Sequence, residues 1–194
     1  MHNAISDGEK KMQSAMTWKQ DKAHSSAEFS VRHMMISNVK GKFKAFDVNF
    51  EGDTDDLEHS SVKVRIDPQS IDTGEEKRDA HLRSPDFFST ETNKDIFFES
   101  SSIHKVSDEE YEIHGILNIR GIKKDITLKG TFEGRIKDPY GLERFGATVT
   151  GEIVREEFGL KWNSVLETGG VMVGSKVKFE VHVEMVLQTN ATAK

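Results

Sequence analysis

The sequence predicts an all-β protein, an eight-stranded antiparallel up-and-down barrel with short helices in its loops. Three observations predict it. Apolar and polar residues alternate with period two along most of the chain, the pattern of strands buried on one face. Several alternating runs approach ten residues, longer than the usual strand. Most linkers between them are short and rich in turn residues. Long strands on short connections suit a closed barrel, whose strands tilt and whose closure removes exposed edges. A two-sheet sandwich also buries one face per strand and is the architectural alternative.

The first strand places Ala27, Phe29, Val31 and His33 on one face, with Glu28, Ser30 and Arg32 on the other. The second begins with Val39, Gly41, Phe43 and Ala45 in odd phase and continues with Phe46, Val48 and Phe50 in even phase. That slip predicts a β-bulge near Ala45-Phe46. Val62, Val64 and Ile66 form the third, stopped by Pro68. Ile96 to Ile103 is a strand of mixed phase. Tyr111–Ile119, Ile126–Ile136, Phe145–Ile153 and Val177–Leu187 complete the set, each alternating cleanly. Gly121-Ile122-Lys123-Lys124 and Asp138-Pro139-Tyr140-Gly141 supply turns. Gly41, Gly115, Gly130, Gly134 and Gly151 fall on the inward phase. They either bend the strands or leave interior volume open.

Residues 69–95 interrupt the pattern. Thr73-Gly74-Glu75-Glu76 reads as a capping box, with Thr73 as N-cap of a helix to about Arg83. Ser84-Pro85-Asp86 starts a further short turn carrying Phe87 and Phe88. A second irregular stretch, residues 155–172, includes Arg155 and Trp162. Loops of this size in a compact domain are often functional lids.

Composition bounds the function. A length of 194 residues favours one domain. The absence of cysteine excludes a disulfide scaffold, a thiolate metal site and a cysteine nucleophile. A net charge of −6 argues against nucleic acid as the main partner. No apolar run is long enough for a membrane span. Residues 1–16 read as a disordered leader or tag, 17–188 as the barrel and 189–194 as a frayed tail. The leader has no apolar core of signal-peptide length, so a cytoplasmic location is expected, or a periplasmic one if a signal was removed.

Several motifs together carry a resemblance. They are His24-Ser25, Phe29, His33, Gly41-Lys42-Phe43 and Ser70-Ile71-Asp72-Thr73. Arg78-Asp79-Ala80-His81-Leu82, Ser84-Pro85-Asp86-Phe87-Phe88 and Ile96-Phe97-Phe98-Glu99-Ser100 follow. Gly115-Ile116-Leu117-Asn118-Ile119-Arg120-Gly121 and Arg155-Glu156-Glu157-Phe158-Gly159-Leu160 complete them. In order and spacing the chain resembles the YceI-like family, also called polyisoprenoid-binding or lipocalin-like lipid-binding proteins, from about Lys19 to Gln188. Leu117-Asn118-Ile119 and Glu157-Phe158 are small departures from its pattern. The resemblance implies a lipocalin-like barrel around an apolar cavity, a long amphiphile as ligand (a polyisoprenoid, an isoprenoid quinone or a fatty-acid amide), and a homodimer.

On that reading Phe29, Phe43, Leu117, Leu128, Phe132 and Phe179 line the interior. The competing reading is that they fill a solid core. His33 sits either at the barrel mouth, facing a ligand head group, or in a hydrogen bond to a loop. Arg78 and His81 share one side of the loop helix and either close the mouth or clamp the loop. Phe87 and Phe88 tuck under that lid, and Trp162 plugs an end or lines the tail's path. No nucleophile elbow, zincin motif, dinucleotide fingerprint or Walker loop is present. Ser37-Asn38-Val39-Lys40 matches Ser-x-x-Lys without its partner motifs. The eight histidines are scattered, so no metal site is expected.

The expected function is non-catalytic binding, storage or transport of a long-chain amphiphile, with no cofactor required. The alternatives are an isoprenoid-quinone-dependent enzyme with His33 or His81 relaying protons, and a ligand-free interaction barrel.

Overall fold

The computed structural model describes residues 16–167 and 169–188. The expected tail and, apart from Met16, the expected leader lie outside the described residues.

Eleven strands form one antiparallel sheet. They are β1 (Trp18–Gln20), β2 (Ser26–His33), β3 (Ser37–Phe43), β4 (Phe46–Asp53), β5 (Asp56–Ile66) and β6 (Ile71–Asp72). β7 (Ile96–Lys105), β8 (Glu110–Ile119), β9 (Ile122–Lys137), β10 (Glu143–Val154) and β11 (Val173–Leu187) follow. The one α-helix among the described residues is α1 (Glu76–Arg83). The strand count exceeds the expected eight because one predicted strand is two and because β1 and β6 are too short to show alternation. The phase slip at Ala45-Phe46 is this division, a break between β3 and β4 rather than a bulge.

The sheet order is β4-β5-β7-β8-β9-β10-β11-β2-β3-β6, and β1 pairs with the end of β11 that β2 leaves free. The sheet curls round on itself, with a seam between β4 and the β3–β6 edge. Asp67 N–H to the Ala45 carbonyl (3.0 Å) and Lys44 N–H to the Ser70 carbonyl (3.1 Å) extend the β4–β5 and β3–β6 ladders to its corner. Along β4, the β1 segment reaches across: Val48 N–H donates to Gln20 Oε1 (3.0 Å), and Thr17 bridges Glu51. The exposed edges are thus short and partly covered.

The loop helix starts two residues later than the capping-box reading places it. Glu75, not Thr73, is the N-cap, accepting from Lys77 N–H (3.1 Å) and Arg78 N–H (2.7 Å). Thr73 is held from within the helix, where buried Asp79 accepts from its N–H (2.9 Å) and its hydroxyl (2.5 Å). The Thr73 hydroxyl is thus committed to Asp79 and to Arg78 Nε and does not cap the helix.

Two inward glycines mark close approach. Gly41 lies opposite Phe29 on β2, and Gly151 lies opposite Phe179 on β11. A Cβ there would sit 2.5 Å from Phe29 Cζ or 2.4 Å from Phe179 Cζ. The space over each glycine therefore holds a cross-strand ring, which is neither of the two readings the sequence offered.

At the end of the barrel where β10 begins, Arg144 ties three segments together. It donates to Asp138 Oδ2 (2.7 Å), Asp21 Oδ2 (2.8 Å) and Glu184 Oε1 (2.6 Å). Hydrogen bonds from His24 and Arg144 hold the Asp21 carboxyl down at about 2, and those from Arg144 and the turn backbone lower Asp138. Asp21, His24 and Glu184 bring three ligating atoms together, and the Arg144 guanidinium bonds to both carboxylates of that cluster.

Two outcomes follow from this packing. Gly115→Ala forces a Cβ to 2.4 Å from the Glu99 backbone carbonyl, which cannot rotate away. It should cost about 1–3 kcal/mol in urea unfolding. Gly151→Ala meets only side-chain tips and should cost less; equal losses would refute the distinction. For the acids, the folded pKa lies below the unfolded one, so their stabilisation is complete above about pH 4 and is lost as pH falls toward the folded values. Unfolding midpoints measured between these limits should fall with pH, and fall less steeply in Arg144→Gln.

Candidate functional site

The sheet encloses an apolar cavity of about 260 Å³. The strands other than β1 contribute inward-facing residues. Phe29 and Val31 come from β2, Leu117 and Ile113 from β8, Leu128 and Phe132 from β9, and Phe179, Val181 and Val183 from β11. Phe43 enters from β3, and Phe87 and Phe88 from the loop after α1. The wall thus includes eight of the twelve residues expected from the sequence: Phe29, Phe43, Phe87, Phe88, Leu117, Leu128, Phe132 and Phe179.

The other four lie outside the wall. His33 is one step beyond Val31 on β2, paired with Ser37 and Val173. Arg78 turns back onto its own loop, donating from Nε to Thr73 Oγ1 (2.7 Å) and from Nη2 to the Thr73 carbonyl (2.9 Å). Both bonds go to Thr73, so it clamps the loop and is not part of the wall. His81 bonds Asp86 Oδ2 through Nε2 (2.9 Å) and packs edge-on against Phe87 and Trp162, at 5.1 and 4.7 Å between centroids. Trp162 lies 5.5 Å from Phe87. His81, Phe87 and Trp162 thus form an aromatic cover, with Phe87 its inner member. A second run of rings, Phe29 to Phe43 to Phe88, continues the cover along β2 and β3.

Arg155 is the buried charge at this loop end, 3% exposed and in contact with the cavity. Burial lowers its pKa, and neighbouring Glu156 opposes the shift. Its Nη1 donates to the carbonyls of Leu160 (2.6 Å) and Trp162 (2.9 Å), and its Nε to that of Gly174 (2.9 Å). Its Nη2 reaches the Val173 carbonyl (3.4 Å) and Glu156 Oε1 (3.1 Å). A guanidinium has five N–H groups; four hydrogen bonds go to backbone carbonyls, and Nη2 also pairs with the Glu156 carboxylate. Arg155 is therefore committed chiefly to holding the second loop.

Trp18 stops the opposite end. It is buried against Phe145 with centroids 4.7 Å apart, and Phe50 and Phe132 pack on the far sides of Phe145 at 5.2 and 5.8 Å. Sequence reasoning passed over Trp18 because it sits on a three-residue strand. It also left out Phe98. On β7 the register shifts between Ser100 and Ser102, so buried Ile96 and Phe98 precede the shift and buried Ile103 follows it in the opposite phase. A break in phase within an apolar run was the available signal.

Polar groups are scarce in the wall. Glu28 and Thr131 point outward by register and line it through their neighbours. Arg155 is satisfied, which leaves the Tyr111 side chain as the other polar one on the wall. Such a space recognises hydrocarbon by exclusion of water and offers few partners for orientation.

A model of the YceI-like domain matches residues 18–185. The chain belongs to the YceI-like family. Among curated relatives, a UPF0312 protein of Staphylococcus aureus is 45% identical and one of Staphylococcus epidermidis 44% identical, each over 84% of this chain and 94% of the relative. The fold recurs in solved structures. The YceI protein of Campylobacter jejuni superposes with a TM-score of 0.71 at 29% identity, covering 81% of this chain and 90% of that one. BcnA of Burkholderia cenocepacia gives 0.75 at 22% identity, covering 85% and 98%. A polyisoprenoid-binding domain of Saccharophagus degradans gives 0.67 at 13% identity, covering 89% and 99%. The curled antiparallel sheet of this YceI-like chain is the architecture these proteins share.

Removing the Arg155 guanidinium should release the second loop. Arg155→Met strands the carbonyls of Leu160, Trp162 and Gly174 and should cost roughly 3 kcal/mol. Arg155→Lys offers three donors on a flexible stem and should recover less than half of that loss. Urea titration of both variants, with tryptophan emission as the probe, measures it.

Proposed function

We propose that this YceI-like barrel binds a long-chain amphiphile, with the hydrocarbon tail inside and without catalysing a reaction on it. The observation that carries this reading is the character of the cavity. Its wall is apolar from Phe145, behind which Trp18 packs, to Phe87 under the aromatic cover, and its buried cation is held by backbone carbonyls and Glu156. A tail gains about 0.8 kcal/mol for each methylene removed from water, and ordering a flexible chain offsets part of that gain. The Saccharophagus degradans neighbour is named for polyisoprenoid binding, which supports a polyisoprenoid or an isoprenoid quinone as the first class to test. Tail length is selected by the distance between the two closed ends.

The quinone-dependent enzyme has no geometric support, because neither His33 nor His81 belongs to the wall. A filled interaction barrel fits poorly with the interior volume.

Native mass spectrometry after incubation with polyprenol, quinone or fatty amide, followed by denaturing extraction, tests the proposal. A stoichiometric adduct is expected. Val149 faces the cavity at mid-strand, between Gly130 and Val181. Val149→Trp should reduce adduct formation about tenfold while changing stability by less than about 1.5 kcal/mol, because the indole enters open space. A large stability loss, together with no adduct on the wild-type chain, would favour a solid core.

A further inference from the structure

The hairpin joining β2 to β3 holds three apolar side chains in water. Met34, Met35 and Ile36 are 40%, 57% and 79% exposed. Ile36 N–H donates to the His33 carbonyl (3.2 Å), closing a turn whose two central residues have positive φ, 49° at Met34 and 62° at Met35. This is the geometry that Asn-Gly adopts without strain. Methionine there is strained by its Cβ and hydrated on its apolar stem. The same chain closes the β8–β9 hairpin with Arg120 at 54° and Gly121 at 77°, placing glycine second. The β2–β3 tip therefore satisfies neither turn preference nor burial, and such outliers concentrate where function demands them.

The second loop stands beside this tip. Met34 N–H donates to the Met172 carbonyl (2.8 Å), and Val165 and Val171 are 81% and 37% exposed. The apolar patch thus spans two loops at the end of the barrel that Arg155 organises.

Charge is sorted behind the tip on the outward face of β10, β11, β2 and β3. Cross-strand pairing sets Glu152, Lys178, Ser30 and Lys40 in one row. Lys176 and Arg32 lie one row nearer the tip, with Asn38 paired to Arg32. These two rows carry four cations, Lys178, Lys40, Lys176 and Arg32, against one anion, Glu152, a local charge of 4 − 1 = +3. The next row away has Glu180 and Glu28 against Lys42, a local charge of 1 − 2 = −1. On a chain of net charge −6, these two rows make a locally basic face that leads to the apolar tip.

We propose that this end of the barrel docks on an anionic lipid bilayer. The Met34-Met35-Ile36 tip, with Val165 and Val171, enters the boundary between head groups and acyl chains. The Arg32, Lys40, Lys176 and Lys178 face meets the lipid phosphates. Apolar insertion combined with basic attraction is the physics of interfacial binding without a membrane span. Docking sets the covered end of the cavity against the reservoir of its ligand. The inference rests on the lipid-binding reading for its purpose, though not for its geometry.

Co-sedimentation with vesicles of pure phosphatidylglycerol and of pure phosphatidylcholine tests it. The wild-type chain is expected to pellet with phosphatidylglycerol, less with phosphatidylcholine, and to be partly released by salt. Met34→Asn combined with Met35→Gly restores the favoured turn, so it should fold at least as stably and bind phosphatidylglycerol about tenfold less. Arg32→Ser combined with Lys40→Ser should weaken phosphatidylglycerol binding and leave phosphatidylcholine binding unchanged. Absence of wild-type binding to phosphatidylglycerol overturns the proposal, as does undiminished binding by the Asn-Gly variant. A shift of that variant from dimer to monomer with no vesicle binding assigns the tip to a second copy of this chain and also overturns it. Cavity loading from detergent-dispersed polyprenol, read by native mass spectrometry, reports on the lipid-binding reading separately. Loaded protein that ignores vesicles sinks the docking alone, and vesicle-bound protein that never loads sinks the binding alone.

Discussion

A curled sheet whose interior exceeds what its own side chains fill must keep that space dry, and the rest of this structure depends on that constraint. Buried polar groups are costly unless paired. The largest of them, the Arg155 guanidinium, makes four hydrogen bonds to backbone carbonyls of the second loop and the start of β11 and pairs with Glu156. Asp79 meets the same demand at α1, accepting from Thr73 while Arg78 donates to that residue from outside. The polar chemistry at the loop end is therefore architectural. It fixes two long irregular segments in place and leaves the wall to hydrocarbon.

Closure is achieved without a continuous ladder. The sheet path ends at β4 and at β6, hydrogen bonds at Ala45, Asp67 and Ser70 carry the ladders to the corner of the seam, and Gln20 reaches across to Val48. Inside, rings laid over Gly41 and Gly151 cover backbone that would otherwise face the cavity. Trp18 and the His81–Phe87–Trp162 group pack at the two ends. Aromatic side chains suit these positions because each covers a large area with few rotatable bonds.

The two ends are not equivalent. Near Trp18 the stopper is backed by the Arg144 ion-pair network, which joins Asp21, Asp138 and Glu184. At the other end the cover is built from loops, and its outermost turn carries strained methionines.

Alternation alone made most of the fold legible. Apolar residues at every second position determined where the long strands run and which face of each turns inward, so eight wall residues could be read from phase and from the apolar loop pair Phe87-Phe88. The pattern failed wherever a residue's partner lies far away in the chain. Phe98 was hidden by a register shift that exists only because β7 pairs with β8. Trp18 was hidden because its strand is three residues long and gains its meaning from Phe145. Arg78 and Arg155 have the same chemistry in sequence, and only the carbonyls that surround them show that each holds a loop. Period-two burial is a local property of the chain, so the sequence by itself determined the class of fold and the apolar character of its interior. The seam, the two stoppers and the assignment of each charged side chain depend on contacts between distant segments, and only the tertiary structure decided them.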